Sequence, residues 1–268
     1  MEDMMLKEIY NKLQEGESVA MVTLTETIGS TSGKQGFTMA VFEDGSIKGT
    51  VGGGSFEYRI IQKASKNLQL GKDETFEEKI SENTNGLELG GSAKGFIKIF
   101  KPRPSLIICG GGHVGFSLYN IANTIGFNVT VIDDRKEFAN KDRFKNAYEV
   151  LCGDFYEKVS SIKITKNTYM VIASSGFNGD YETLKAVINK DVPYIGVVGS
   201  RKKWTTLKEK LLKDNITKED TLEKVYAPIG LNLSSPSAEE VAFSALAEIL
   251  LIKNRGTLEH IKDIRGGE

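Results

Sequence analysis

The sequence predicts an α/β protein: a C-terminal Rossmann-like parallel sheet preceded by a smaller N-terminal α+β domain. Three observations carry this. Beyond residue 105, short uninterrupted apolar runs alternate with helix-patterned segments, the mark of parallel strands covered on both faces. The first of these runs leads directly into Gly110-x-Gly112-x-x-Gly115 and a helix, the order in which a nucleotide-binding turn is built. Before residue 100, strands follow one another without a βαβ rhythm, which fits a mixed α+β unit.

Residues 2–15 read as a helix with Met5, Leu6, Ile9 and Leu13 on one face. Residues 18–27 form a β-rich run, and residues 28–36, "IGSTSGKQG", read as a loop. "FTMAVFE" and "SIKGTV" flank Asp44-Gly45, which predicts a two-residue hairpin turn. Residues 55–70 are helical in pattern, with Phe56, Ile60, Ile61, Ala64 and Leu68 on one side. "ETFEEKIS" (74–81) and "GFIKIF" (95–100) complete the first domain, residues 1–100. "KPRP" (101–104) is the joint, because proline removes backbone donors and favours extended chain.

The second domain, residues 105–268, alternates. Strands are predicted at 105–109, 128–133, 148–152, 169–173 and 194–199, and helices at 113–126, 180–189 and 201–213. The last helix, 237–254, opens with Ser237 and Glu240 placed as a capping box.

Composition narrows the function classes. Lys plus Arg total 35 and Asp plus Glu 36, for a net charge of -1. Without a basic bias, nucleic acid is not expected as a partner. No apolar run approaches the roughly 18 residues a membrane helix needs, and the N-terminal stretch lacks the basic head of a signal peptide. A cytoplasmic protein is expected. Cys109 and Cys152 lie in apolar runs and read as buried structural thiols. No metal cluster is expected, and the apolar helices at both ends are compatible with a homodimer.

Two glycine clusters and one basic turn are the candidate binding features. In the second domain, Gly110 permits the tight turn, Gly112 lets a pyrophosphate approach the backbone, and Gly115 lets helix and strand pack closely. The helix start offers unpaired N–H groups to an anion. Asp133 ends the next strand at the spacing of a ribose-binding carboxylate, favouring NAD, while Arg135 can meet the 2′-phosphate of NADP. His113 opens the helix and is either a phosphate donor and acid–base group or a packing residue. At "GSRKKW", Ser200 is a plausible helix N-cap followed by Arg201, Lys202 and Lys203. Positive charge there opposes the helix dipole, which an acidic ligand would explain. In the first domain, Gly52, Gly53 and Gly54 interrupt a strand-to-helix transition just ahead of Ser55 and Glu57.

"GTVGGGSFE", "CGGGHVGFSL…VTVIDDRKEFAN", "YIGVVGSRKKW" and "YAPIGL", in that order, together resemble the XdhC/CoxI family, accessory proteins of molybdenum hydroxylases such as xanthine dehydrogenase. The resemblance spans nearly the whole chain. It implies a chaperone-like maturation factor that binds the molybdenum cofactor (molybdopterin). It also implies cofactor sulfuration with a cysteine desulfurase and delivery to an apo-hydroxylase. Gly52, Gly53, Gly54 and Ser55 would then form an anion-binding turn, with Glu57 as a polar ligand or orienting residue. Two positions depart from the family pattern: Ser55 and Leu89 stand where the family often carries cysteine. Neither can ligate molybdenum through sulfur or carry a persulfide, which marks a divergent paralogue. The stretch after the fourth Rossmann strand, often rich in His and Asp, reads "SSGFNGD". No catalytic residue is assigned. An NAD(P)-dependent oxidoreductase and a nucleotide-sensing binding protein are the alternative readings.

Overall fold

In the computed structural model the described residues are 2–84, 87–234 and 237–264, without the side chains of residues 2 and 80–89. The chain divides into two compact units, one ending at Pro102 and the other starting at Arg103.

The first unit contains α1 (Glu2–Gln14), β1 (Val19–Gly29), β2 (Thr38–Phe42), β3 (Ile47–Gly49), α2 (Gly54–Leu70), β4 (Glu74–Thr84) and β5 (Leu87–Phe100). Its strands form one antiparallel sheet in the order β3-β2-β1-β5-β4. The period-two alternation of a strand explains how one sheet holds two helices. Ala20, Val22 and Leu24 share a core with Phe56, Ile60 and Ala64 of α2. Val19 and Met21 point the other way, to Met5 and Ile9 of α1. Each fully buried large side chain contributes about 1.5–3 kcal/mol, so the apolar stripes hold both helices in place.

The second unit contains β6 (Ser105–Cys109), α3 (His113–Thr124), β7 (Asn128–Asp133), β8 (Glu149–Cys152), α4 (Phe155–Ser161), β9 (Thr168–Ile172), α5 (Phe177–Val187), β10 (Tyr194–Val197), α6 (Arg201–Lys213), α7 (Glu219–Leu222), β11 (Val225–Tyr226) and α8 (Ala238–Asn254). The sheet is parallel throughout, in the order β11-β10-β9-β6-β7-β8. Successive residues of β6 serve opposite layers. Ile107 and Cys109 pack with α4, α5 and α6 through Val159, Leu184 and Leu207. Leu106 and Ile108 pack with α3 and α8 through Leu118, Ala122, Ala245 and Ile249. This is the doubly wound Rossmann arrangement. Its strand order reverses between β6 and β9, where the carboxyl ends of the strands leave a crevice.

Several local expectations change. The β2–β3 connection is a three-residue loop, not a two-residue turn: Gly45 N donates to Phe42 O and Phe42 N to Ser46 O, both at 3.0 Å. Gly45 takes the left-handed conformation that such a bulged loop requires. β1 runs on through Ile28 and Gly29. β5 starts at Leu87, because Gly91 and Gly95 sit where neighbours leave no room for a side chain and do not break the strand. α5 begins at Phe177, three residues before Asp180. α4, α7 and β11 are too short to show a periodicity. Cys109 is buried, whereas Cys152 is only partly covered.

Candidate functional site

In the first unit the triple glycine makes the turn from β3 into α2. Gly52 lies against Gly33, with no space for a side chain between them. Gly53 and Gly54 have nothing near them but adopt φ of 77° and 64°, conformations that glycine reaches without steric cost. Two backbone donors of this turn already have an anion. The Glu57 carboxylate accepts from Val51 N at 2.8 Å, from Gly53 N at 3.2 Å and from the Thr50 hydroxyl. Burial works to raise the Glu57 pKa, but these donors outweigh it and hold the carboxyl below its usual range. Ser55 is exposed in the first turn of α2. Leu89 lies outside the described side chains.

In the second unit the glycine loop joins β6 to α3. A side chain on Gly110 would overlap Ala173 O, one on Gly111 would overlap Phe138 O, and one on Gly115 would overlap Gly110 O. Those three glycines are required by the packing of the chain itself. Gly112 differs: a side chain there would meet nothing, and its φ of -65° suits any residue. Gly112 is also the N-cap of α3, with no side chain satisfying the helix start, so the first N–H groups remain available. His113 is exposed as the first residue of that helix.

Asp133 is placed differently from a free ribose ligand. It is fully buried and accepts from Gly111 N at 2.8 Å, Arg135 N at 3.0 Å, Arg135 Nε at 2.9 Å and Arg135 Nη2 at 3.0 Å. Burial would raise its pKa, but the Arg135 guanidinium and the two N–H groups hold it below the usual carboxylate range. Arg135 is committed to this fork and lies 3.9 Å from the Phe138 ring centroid. Asp133 therefore fixes the glycine loop to the end of β7. The exposed carboxylate beside it belongs to Asp134, whose pKa burial and the Asp133 charge raise.

At the carboxyl end of β10, Ser200 caps α6, accepting from Lys203 N at 3.2 Å, and Arg201 and Lys202 are exposed. Lys203 of this basic turn meets Asp180 and, through it, Ser174. Asp180, in the first turn of α5, is fully buried. Its Oδ1 accepts from Ser174 N at 3.2 Å and from the Ser174 hydroxyl at 2.5 Å. Its Oδ2 receives no hydrogen bond of good geometry; its partner is the Lys203 ammonium, in ion-pair contact. Burial raises the Asp180 carboxyl above its usual range despite Lys203 and Ser174. The available signal was a lone acid just after the strand at the order reversal, in "SSGFNGD".

The structure thus brings Gly110, Gly112, His113, Gly115, Asp133 and Arg135 to one loop cluster. Ser200 and Arg201 lie at the end of β10, which is separated from β6 by β9. Gly52, Gly53, Gly54, Ser55 and Glu57 form a separate cluster in the first unit. Among the described residues no three His, Cys, Asp or Glu side chains group to hold a metal ion, and no helix is long and apolar enough to cross a membrane.

Comparison with known proteins agrees with this architecture. Residues 106–249 match the XdhC Rossmann domain, and residues 12–77 match the XdhC and CoxI family. The chain is 31% identical over 239 residues to the uncharacterized protein YqeB of Escherichia coli, covering 88% of this chain and 43% of that protein. It is 26% identical over 160 residues to a probable xanthine dehydrogenase subunit of Bacillus subtilis, covering 60% and 46%. It thus spans less than half the length of either relative. It is 23% identical over 276 residues to the molybdenum cofactor insertion chaperone PaoD of Escherichia coli, covering 90% of this chain and 85% of that one. A crystal structure of a xanthine dehydrogenase from Bacillus halodurans shares the fold, with a TM-score of 0.52 at 20% identity over 94% of this chain and 96% of that one.

Proposed function

The chain belongs to the XdhC and CoxI family, and we propose that it is an accessory protein for maturation of a xanthine dehydrogenase-type molybdenum hydroxylase. In this reading it binds the molybdenum cofactor, a dinucleotide, or both. Its partners are the hydroxylase that receives the cofactor and a cysteine desulfurase. The similarity to PaoD supports the cofactor side of this reading.

The observation that carries it is Gly112. Packing explains the neighbouring glycines, whereas at Gly112 the missing side chain only keeps open the approach to an uncapped helix start. A phosphate group fits there, held by backbone N–H groups and the helix dipole. Both a pterin cofactor and a dinucleotide carry such a group. A dinucleotide ribose would meet Asp134, because Asp133 and Arg135 are occupied with each other. The residues fit sulfur chemistry less well. Ser55 has no thiol, and burial pushes the Cys109 thiol up to about 12, which keeps it protonated and inert. In this reading the chain's own residues hold and orient a phosphate-bearing cofactor, and sulfur transfer is left to the partner desulfurase.

The test is to purify the protein and measure pterin retention by the fluorescence of its oxidised form, alongside NAD and NADP titrations. Pterin binding that falls on Gly112→Val supports the reading. Nicotinamide binding with no pterin uptake would remove the molybdenum cofactor as the ligand and leave the dinucleotide, and binding of neither would overturn the reading.

A further inference from the structure

We propose that Lys203 is an anion-binding residue of the crevice at the carboxyl ends of the parallel strands, held in reserve by Asp180 until a phosphate group displaces that carboxylate. The inference rests on the reading above, that the glycine loop takes a phosphate-bearing ligand, and names a second contact for the same group.

The placement comes first. The group adjoins the glycine loop: a side chain on Gly110 would come within 2.7 Å of Ser174 N, the N–H that donates to Asp180 Oδ1. It therefore stands where the strand order reverses between β6 and β9. Next is the asymmetry of the pair. The Asp180 side chain is 0% exposed, whereas Lys203 keeps 26% of its side chain accessible. Among the described residues, the ammonium of Lys203 has beyond Asp180 only Val198 O, at a long 3.4 Å. The lysine can turn toward the crevice; the carboxylate cannot follow. Lastly, helix stability does not explain a lysine here, since cations in a first turn oppose the helix dipole.

The exchange has a proton cost that can be measured. Once Lys203 turns to a phosphate, Asp180 is left buried without a counter-charge, and a buried carboxylate in that state takes up a proton. Among the described residues, the titratable groups acting on Asp180 are Lys203 from α6 and the Cys109 thiol from β6, which stays neutral. The other neighbours are the Ser174 hydroxyl at the end of β9 and, beside Gly179, the Phe155 ring of α4. The bound state holds the extra proton, so affinity rises as pH falls.

The experiment is isothermal titration of the full chain with inorganic pyrophosphate, and separately with inorganic phosphate, in two buffers of different ionisation enthalpy. The expected result is uptake of about one proton per anion bound. Asp180→Asn should bind more tightly with no proton uptake. Lys203→Met should bind about tenfold more weakly, the loss of one charge-assisted hydrogen bond. Because that variant strands a buried charge, the Lys203→Met/Asp180→Asn double variant repeats the test with a neutral pair and should bind as weakly. Preference for pyrophosphate points to a dinucleotide bridge, and preference for phosphate to a terminal monophosphate; either is consistent with the proposal. If Gly112→Val abolishes binding while both Lys203 variants bind like the parent without proton uptake, the inference fails and the glycine-loop reading stands. The reverse pattern keeps Lys203 and removes the glycine loop. Wild-type protein that binds neither anion overturns both.

Discussion

Gly112 and Gly115 are three residues apart and are glycine for different reasons. Gly115 has Gly110 O where a side chain would go, while Gly112 faces open space. Gly115→Ala is therefore expected to cost about 1–3 kcal/mol in urea denaturation through overpacking. Gly112→Ser should stay within about 0.5 kcal/mol, since serine caps a helix at least as well as glycine, yet it should weaken phosphate binding. Equal losses of stability in the two variants would refute the distinction. The spacing of these glycines was readable in the sequence, but the difference between them was not, because it depends on Ala173 O, Phe138 O and Gly110 O, which folding brings to the loop. Asp133 makes the same point. Its position at the end of a strand was legible, but its burial under Arg135 arises from a fork whose geometry no spacing encodes. The resemblance gives Glu57 as a polar ligand or orienting residue, and in the structure its carboxylate accepts from Val51 N and Gly53 N at the triple-glycine turn.

At the scale of elements, the longer helices were legible because each repeats its apolar stripe for several turns. α6 spans Arg201–Lys213, as the pattern predicts. α8 has the full capping box, with Ser237 and Glu240 each accepting from the other's backbone N–H at 3.2 Å. Ser237→Ala should cost about 1 kcal/mol, read as a lower urea midpoint with an unchanged slope. The effect should reach the sheet, because Ala242, Ala245, Leu246 and Ile249 of α8 pack in one cluster with Leu118 and Ala122 of α3. A variant as stable as the parent would mean that the helix start is held by its packing alone. α4 escaped notice for want of length: its seven residues carry one cap, Asp154 accepting from Glu157 N at 2.9 Å, and two buried side chains. Glycine shortened the predicted β5 and α5 at their starts, since glycine by composition signals a break, whereas Gly91 and Gly179 mark close packing.

At the scale of the molecule, each unit has its own hydrophobic cores, so residues 1–102 and 103–268 expressed separately should each give dispersed amide NMR spectra. Collapsed spectra from either fragment would show that its core needs the rest of the chain. The sheet of the second unit has a further consequence for biosynthesis. β6 and β9 are neighbours although about 60 residues of chain separate them, and the lysine facing Asp180 arrives about 30 residues later still. A nascent chain that has released only the glycine loop thus carries half a pocket. Under the proposed function, a phosphate-bearing ligand meets the complete crevice only once β9 has paired with β6 and Lys203 has reached Asp180.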